Sequence, residues 1–186
     1  MGSSQAPGKR RSALRASAAR QSVPSSRPPA ASPSKAKKRS VPAPDSGGRP
    51  PYSADCTVGR LVEARLFTLR SIDDVNAFQN AMRDAFGVAG ERSVVCADWR
   101  RARLLAPDVA DALVNLLRKG GAFFERSAIL LSPDGAVFNM QVERVVREAA
   151  NPSRRTFRDV AKMQLWLGEV LDPHERQRAS EFLRDL

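Results

Sequence analysis

Between residues 61 and 183 a short apolar run is followed, four times over, by a longer segment whose apolar residues recur at helical spacing. This alternation leaves few folds open. Leu61 to Leu69 mixes apolar residues with Glu63, Arg65 and Thr68, as a partly exposed strand does. Ser71-Ile72-Asp73-Asp74 then reads as a helix N-cap with an acid three residues on; Val75, Phe78, Met82 and Phe86 share one helical face, and Gly87 stands where the helix is expected to stop. Ser93 to Ala97 is continuously apolar after its first residue, the pattern of a strand covered on both faces. Pro107-Asp108 opens a second helix carrying Val109, Ala112, Leu113, Leu116 and Leu117, and Gly120-Gly121 closes it. Ser127 to Leu131, the turn Ser132-Pro133-Asp134-Gly135 and a helix with Phe138, Val142, Val145 and Ala149 form the third unit. The short Arg155-Thr156-Phe157 and a helix from Asp159 with Val160, Met163, Leu167 and Leu171 form the fourth. Asp172-Pro173-His174-Glu175 restarts a last helix bearing Ala179, Phe182, Leu183 and Leu186. Parallel neighbours need crossovers of roughly a dozen residues or more, which these helices supply. The expectation is an α/β domain over residues 53–186 with a mostly parallel four-stranded sheet, the polar first and fourth strands at its edges and the two apolar runs at its centre.

The chain ahead of that domain has a different composition. Of the +11 formal charge of the 186 residues, +10 lies in residues 1–52, which also hold nine of the thirteen prolines. Leu14, Val23 and Val41 are its only large aliphatic side chains and Tyr52 its only aromatic. Too little apolar surface is available there to offset the entropy of ordering, so residues 1–52 are expected to form a disordered basic tail rich in Ser, Pro and Ala. Apolar runs such as Ala128 to Leu131 are far short of the ~20 residues of a membrane span. No apolar h-region follows the N-terminal basic residues, and a cytoplasmic location is expected. Cys56 and Cys96, the two cysteines, read as free thiols.

The order of elements, together with Val94-Val95-Cys96-Ala97-Asp98-Trp99-Arg100, Pro107 to Leu113, Gln141 to Ala149, and Arg154 to Asp159 with Trp166-Leu167, resembles the SpoIIAA-like proteins of the STAS class, and more narrowly the bacterial STAS/SEC14 domain proteins. The resemblance spans about residues 58 to 186. It implies a STAS-like fold and a non-enzymatic, regulatory partner-binding module, with relatives by fold that hold lipids or nucleotides. One departure bears on regulation. STAS-class sigma-factor antagonists carry a phosphorylated Ser or Thr where the chain enters the helix after a central strand, and Leu104-Leu105-Ala106-Pro107-Asp108 has no hydroxyl.

Catalytic chemistry finds little to work with. His174, the single histidine, is the second residue of a capped helix, and no base or nucleophile partner accompanies it. The cysteines lack metal-ligand spacing, and Gly120-Gly121 reads as a helix stop, with no phosphate-loop pattern elsewhere. No catalytic residue, metal or cofactor is expected. The candidate binding site is the loop Asp98, Trp99, Arg100, Arg101 and Arg103, which follows a central strand at the carboxyl edge, where open α/β sheets bind ligands. Its aromatic surface beside three guanidinium groups suits a phosphate, a carboxylate or a nucleic-acid backbone, hence a small anionic ligand or a secondary contact to DNA, and the resemblance adds a lipid as an alternative. The simpler reading of the same residues, and the favoured one, is a solvated loop in which Trp99 covers the core and Asp98 pairs with an arginine. Phe123-Phe124 is expected to turn one ring inward and the other partly outward. In the tail, Lys9, Arg10, Arg11, Lys35, Lys37, Lys38 and Arg39 form clusters that bind DNA or another polyanion through counterion release, or that serve only to solubilise. The partners expected are therefore another protein for the domain and a polyanion for the tail, with no membrane span.

Overall fold

The computed structural model describes residues 50 to 184. In chain order the elements are β1 (Tyr52–Val58), β2 (Leu61–Leu66), α1 (Ile72–Ala89), β3 (Ser93–Asp98), α2 (Pro107–Lys119), β4 (Phe124–Leu130), α3 (Ala136–Glu148), β5 (Arg154–Phe157), α4 (Val160–Gly168) and α5 (Pro173–Arg184), with a 3-10 turn at Gly120–Ala122. The class is α/β, as expected. The sheet has five strands rather than four, in the order β1-β2-β3-β4-β5, with β1 antiparallel to β2 and every other pair parallel.

The additional strand is β1, whose alternation of Tyr52, Ala54, Cys56 and Val58 with Ser53, Asp55 and Thr57 forms one arm of a hairpin. Gly59 turns that hairpin at φ +54°, a left-handed conformation that favours glycine. Tyr52, grouped with the tail by composition, pairs with Leu66 and sets its ring edge-on to Phe78 at 5.3 Å. The hairpin corrects a second expectation. With β1 outside it, β2 is an interior strand and is buried at five of its six positions, so the first apolar run is not an edge. Glu63 and Arg65, which read as solvent-facing, meet α5 instead. Arg178 donates to the Glu63 carboxylate at 2.6 and 2.7 Å, and the Arg65 guanidinium lies 4.3 Å from the centre of the Phe182 ring.

From β2 to β5 the strand order advances in one direction, and crossovers between parallel strands are almost always right-handed. The three connecting helices therefore share one face. The packing agrees: Val62, Ala64, Leu66, Val95, Ala97, Ile129 and Leu131 of the sheet region meet Val75 and Phe78 of α1, Leu113 of α2 and Val142 of α3 in one cluster. The alternate residues Leu61, Val94, Cys96, Ala128 and Leu130 point the other way, toward Met163 and Leu167 of α4 and Ala179, Phe182 and Leu183 of α5. Burying each of the larger aliphatic side chains contributes about 1.5–3 kcal/mol.

The helix ends follow their local chemistry. Ser71 caps α1 by accepting from the Asp74 N–H at 3.2 Å. The helix runs past Gly87 and ends at Gly90, whose φ of +74° carries the chain out of the helix. At α5, Asp172 accepts from the Glu175 N–H at 2.9 Å and Glu175 accepts from the Asp172 N–H at 3.0 Å, the reciprocal box that the sequence spells. The Glu175 carboxylate also accepts from the Arg60 N–H at 2.7 Å, tying the β1–β2 turn to the last helix. Among the described residues no helix is long and apolar enough to cross a membrane.

Candidate functional site

The loop after β3 is built for closure. Asp98 is buried, and its carboxylate accepts from the Arg100 backbone N–H at 3.1 Å, from Arg100 Nε at 2.9 Å and from Nη2 at 2.8 Å. Arg100 Nη2 also donates to the Leu183 carbonyl at 2.7 Å, and the hydrogen bond to Asp98 holds the guanidinium above its ordinary pKa. The Trp99 ring is 2 % exposed and packs into the cluster under the crossover helices, so it offers no flat surface to solvent. Arg101 and Arg103 are exposed. The five residues therefore divide into three that seal the sheet and two that face water. The topology supplies a reason. Ligands bind at the carboxyl edge of an open sheet where the strand order reverses and adjacent crossovers diverge to opposite faces. The parallel part of this sheet never reverses, so its carboxyl edge has no switch point of that kind. The tail residues Lys9, Arg10, Arg11, Lys35, Lys37, Lys38 and Arg39 lie outside the described residues.

A cavity of about 1040 Å³ lies on the crossover-helix face of the sheet, between α1, α2 and the strands. Close-packed interiors leave few voids larger than a water, whereas ligand sites run to roughly 300–1,000 Å³. The cavity follows from residue size at the sheet. Ala64 of β2 and Ala97 of β3 are direct partners, both line the cavity, and both present only a methyl group to it, so the floor there is low. Phe78 and Met82 of α1, Leu116 and Leu117 of α2, and Val95 and Ile129 of the sheet complete an apolar wall. The mouth lies among the exposed residues at the C-terminal ends of α1 and α2, where Arg83 and Lys119 bring positive charge, Glu91 an acid, and Arg92 is paired with Glu125 at 3.0 Å. Phe123 stands there with 59 % of its surface exposed, stacked on Phe86 at 6.0 Å, while Phe124 turns inward.

Trp99 and Arg154 both line the cavity, and each carries a buried donor without an acceptor. Trp99 Nε1 makes no hydrogen bond, and neither does Arg154 Nε. An unmet buried donor costs about 1–3 kcal/mol, more when it belongs to a charged group. Arg154, the first residue of β5, is 7 % exposed; Nη1 donates to the Leu117 carbonyl at 3.0 Å and the guanidinium lies 5.0 Å from the centre of the Phe124 ring. Among the described residues no carboxylate forms an ion pair with it, and burial pulls its pKa down to about 10. Ser127 of β4, its partner in register, lines the same cavity. Strand periodicity would have separated inward Arg154 and Thr156 from Arg155 and Phe157. The sequence reading starts this strand at Arg155 and leaves Arg154 ahead of it.

No family model, no curated protein and no solved structure matches the chain.

Proposed function

We propose that the chain is a non-enzymatic binding module whose α/β domain takes an elongated apolar small molecule into the cavity beneath α1 and α2. The observation that carries this reading is the cavity itself: about 1040 Å³, apolar along its walls, with two buried donors that lack an acceptor. Of the binding roles read from the sequence, this favours the small-ligand role and moves its place from the Trp99 loop to the space beneath it. The resemblance of residues 94–100 and 141–149 to SpoIIAA-like proteins of the STAS class supports a regulatory use of the domain, in which ligand occupancy is read by another protein. A neutral solvatochromic dye such as Nile red tests the binding half. It is expected to bind with one-to-one saturation and a blue-shifted emission, and Ala97→Leu, which raises the floor, is expected to abolish that binding while the domain stays folded. Absence of saturable binding, or binding that Ala97→Leu leaves intact, would remove the reading.

A second role rests on a separate observation, the +10 charge of residues 1–52. A chain of that composition binds a polyanion such as DNA through counterion release and brings the domain to it. The two roles rest on separate observations, the cavity for one and the charge of the tail for the other.

A further inference from the structure

On the reading that the cavity takes an apolar small molecule, we propose that its ligand is an amphipathic monocarboxylate of the fatty-acid class, whose carboxylate is held by the buried Arg154 guanidinium. The geometry selects the head group. Nη1 is committed to the Leu117 carbonyl, and the buried Nε has no acceptor among the described residues. In any guanidinium the Nε–H and one Nη–H run parallel, spaced to match the two oxygens of a planar carboxylate, so a small turn of the Arg154 side chain would seat one. Ser127, in register with Arg154 on the neighbouring strand and about 5 Å away across the ladder, places a hydroxyl beside the same point.

Charge selects the class as well. Arg154 is the one cation buried at the cavity, and burying an unpaired charge is costly enough that such groups are normally found paired. Depressed to about 10, its pKa still leaves it cationic at neutral pH. One negative charge balances it, and a second is left without a buried partner. Beyond the head, Val95, Ala97 and Ile129 line an apolar path toward Trp99. Along β4 the distance from the Ser127 position to that of Leu131, level with Trp99, is about 13 Å at the strand rise. A medium-length acyl chain fits that path. Arg83 and Lys119 at the mouth favour the approach of an anionic amphiphile.

The test compares head groups on one chain. Dodecanoate, dodecyl phosphate and dodecanol are titrated below their micellar concentrations into the full-length protein, followed by calorimetry and by Nile red displacement. Dodecanoate is expected to bind about ten- to hundredfold more tightly than dodecanol, the range of a charge-assisted hydrogen-bonded pair. It is also expected to bind more tightly than the phosphate. Arg154→Met should bring the acid-to-alcohol ratio close to one while dodecanol binding persists. Arg154→Lys, which retains the charge but lacks the planar edge, should recover only part of the preference and serves as the check if the Met variant does not fold. Equal binding of dodecanoate and dodecanol would overturn the carboxylate assignment and leave the apolar cavity standing. A preference for the phosphate, or a carboxylate preference that survives Arg154→Met, would also overturn it. Failure of all three amphiphiles and of Nile red would remove the cavity reading together with it.

Discussion

Replacing Gly59 by Ala tests the link between the β1–β2 turn and α5. A Cβ at residue 59 would lie 2.3 Å from Glu175 Oε1, and the backbone there has φ +54°. Two costs follow. Holding an alanine in the left-handed region costs roughly 1 kcal/mol. The methyl group also evicts a carboxylate that accepts from the Arg60 N–H at 2.7 Å and the Asp172 N–H at 3.0 Å. Each donor left without an acceptor costs about 1–3 kcal/mol, so losing both, part-buried as they are, costs about 3 kcal/mol. Glu175→Ala alone is therefore expected to destabilise by about 3 kcal/mol and Gly59→Ala alone by about 4 kcal/mol. In the double variant the carboxylate is already gone and the methyl group evicts nothing, so the total stays near 4 kcal/mol rather than the additive 7, a coupling of about 3 kcal/mol. Urea denaturation of the four proteins, analysed with a common slope, measures that coupling; the Glu175→Ala loss corresponds to a fall in Tm of roughly 10 °C for a domain of this size. Costs that add within about 0.5 kcal/mol would show that Gly59 and Glu175 act independently and would refute the reasoning.

Three further outcomes are expected. Hydrogen bonds from Arg60 first and Arg92 second hold the Glu125 carboxyl below its ordinary value of 4.5. Its contribution is thus complete above pH 4.5 and lost as the pH falls through its lower native value, so Glu125→Gln should flatten the acid limb of the stability profile, and an unchanged limb below pH 4.5 would contradict this. Burial first, then the nearby Glu63, pushes the Cys96 thiol pKa up, and the thiol should resist a disulfide reagent in the native protein and react at once in denaturant; rapid native labelling of Cys96 would contradict its burial. If the tail neutralises several phosphates, duplex DNA affinity should fall with salt at a log–log slope of about −0.9 per phosphate contacted and vanish when residues 1–49 are removed, whereas undiminished binding by the truncated protein would end the polyanion role.

The parts of the fold that announced themselves in sequence are those whose signal is local. Ser71 with Asp74, and Asp172 with Glu175, use short polar side chains that satisfy backbone N–H groups within one turn, and both caps stand where the residues place them. The apolar runs of β3 and β4 are buried on both faces because helices cover both. Edges were harder to read. β1 is half solvated, so its Ser53, Asp55 and Thr57 resemble linker composition, and only the period-two placement of Tyr52, Ala54, Cys56 and Val58 before Gly59 marks it. Glu63 and Arg65 misled for the opposite reason: their partners, Arg178 and Phe182, lie more than a hundred positions away in sequence. The cavity was invisible because it is made by small residues. Ala64 and Ala97 look like ordinary strand positions until β2 and β3 are set in register, and Arg154 looks like a surface residue until Leu117 and Phe124 enclose it.

The one-directional strand order also dictates how the chain is finished on the ribosome. Each crossover helix lies between the two strands it packs upon, so that side of the sheet can close as synthesis proceeds. The opposite side has no such provision. Leu61, Val94, Cys96, Ala128 and Leu130 are in place by the time β4 is made, yet Met163, Leu167, Phe182 and Leu183, which cover them, come from the last two helices. A nascent chain that has not passed residue 160 carries a bare hydrophobic slab of the kind holdase chaperones grip. Messages truncated in that region would yield sticky, protease-sensitive products rather than a smaller working domain.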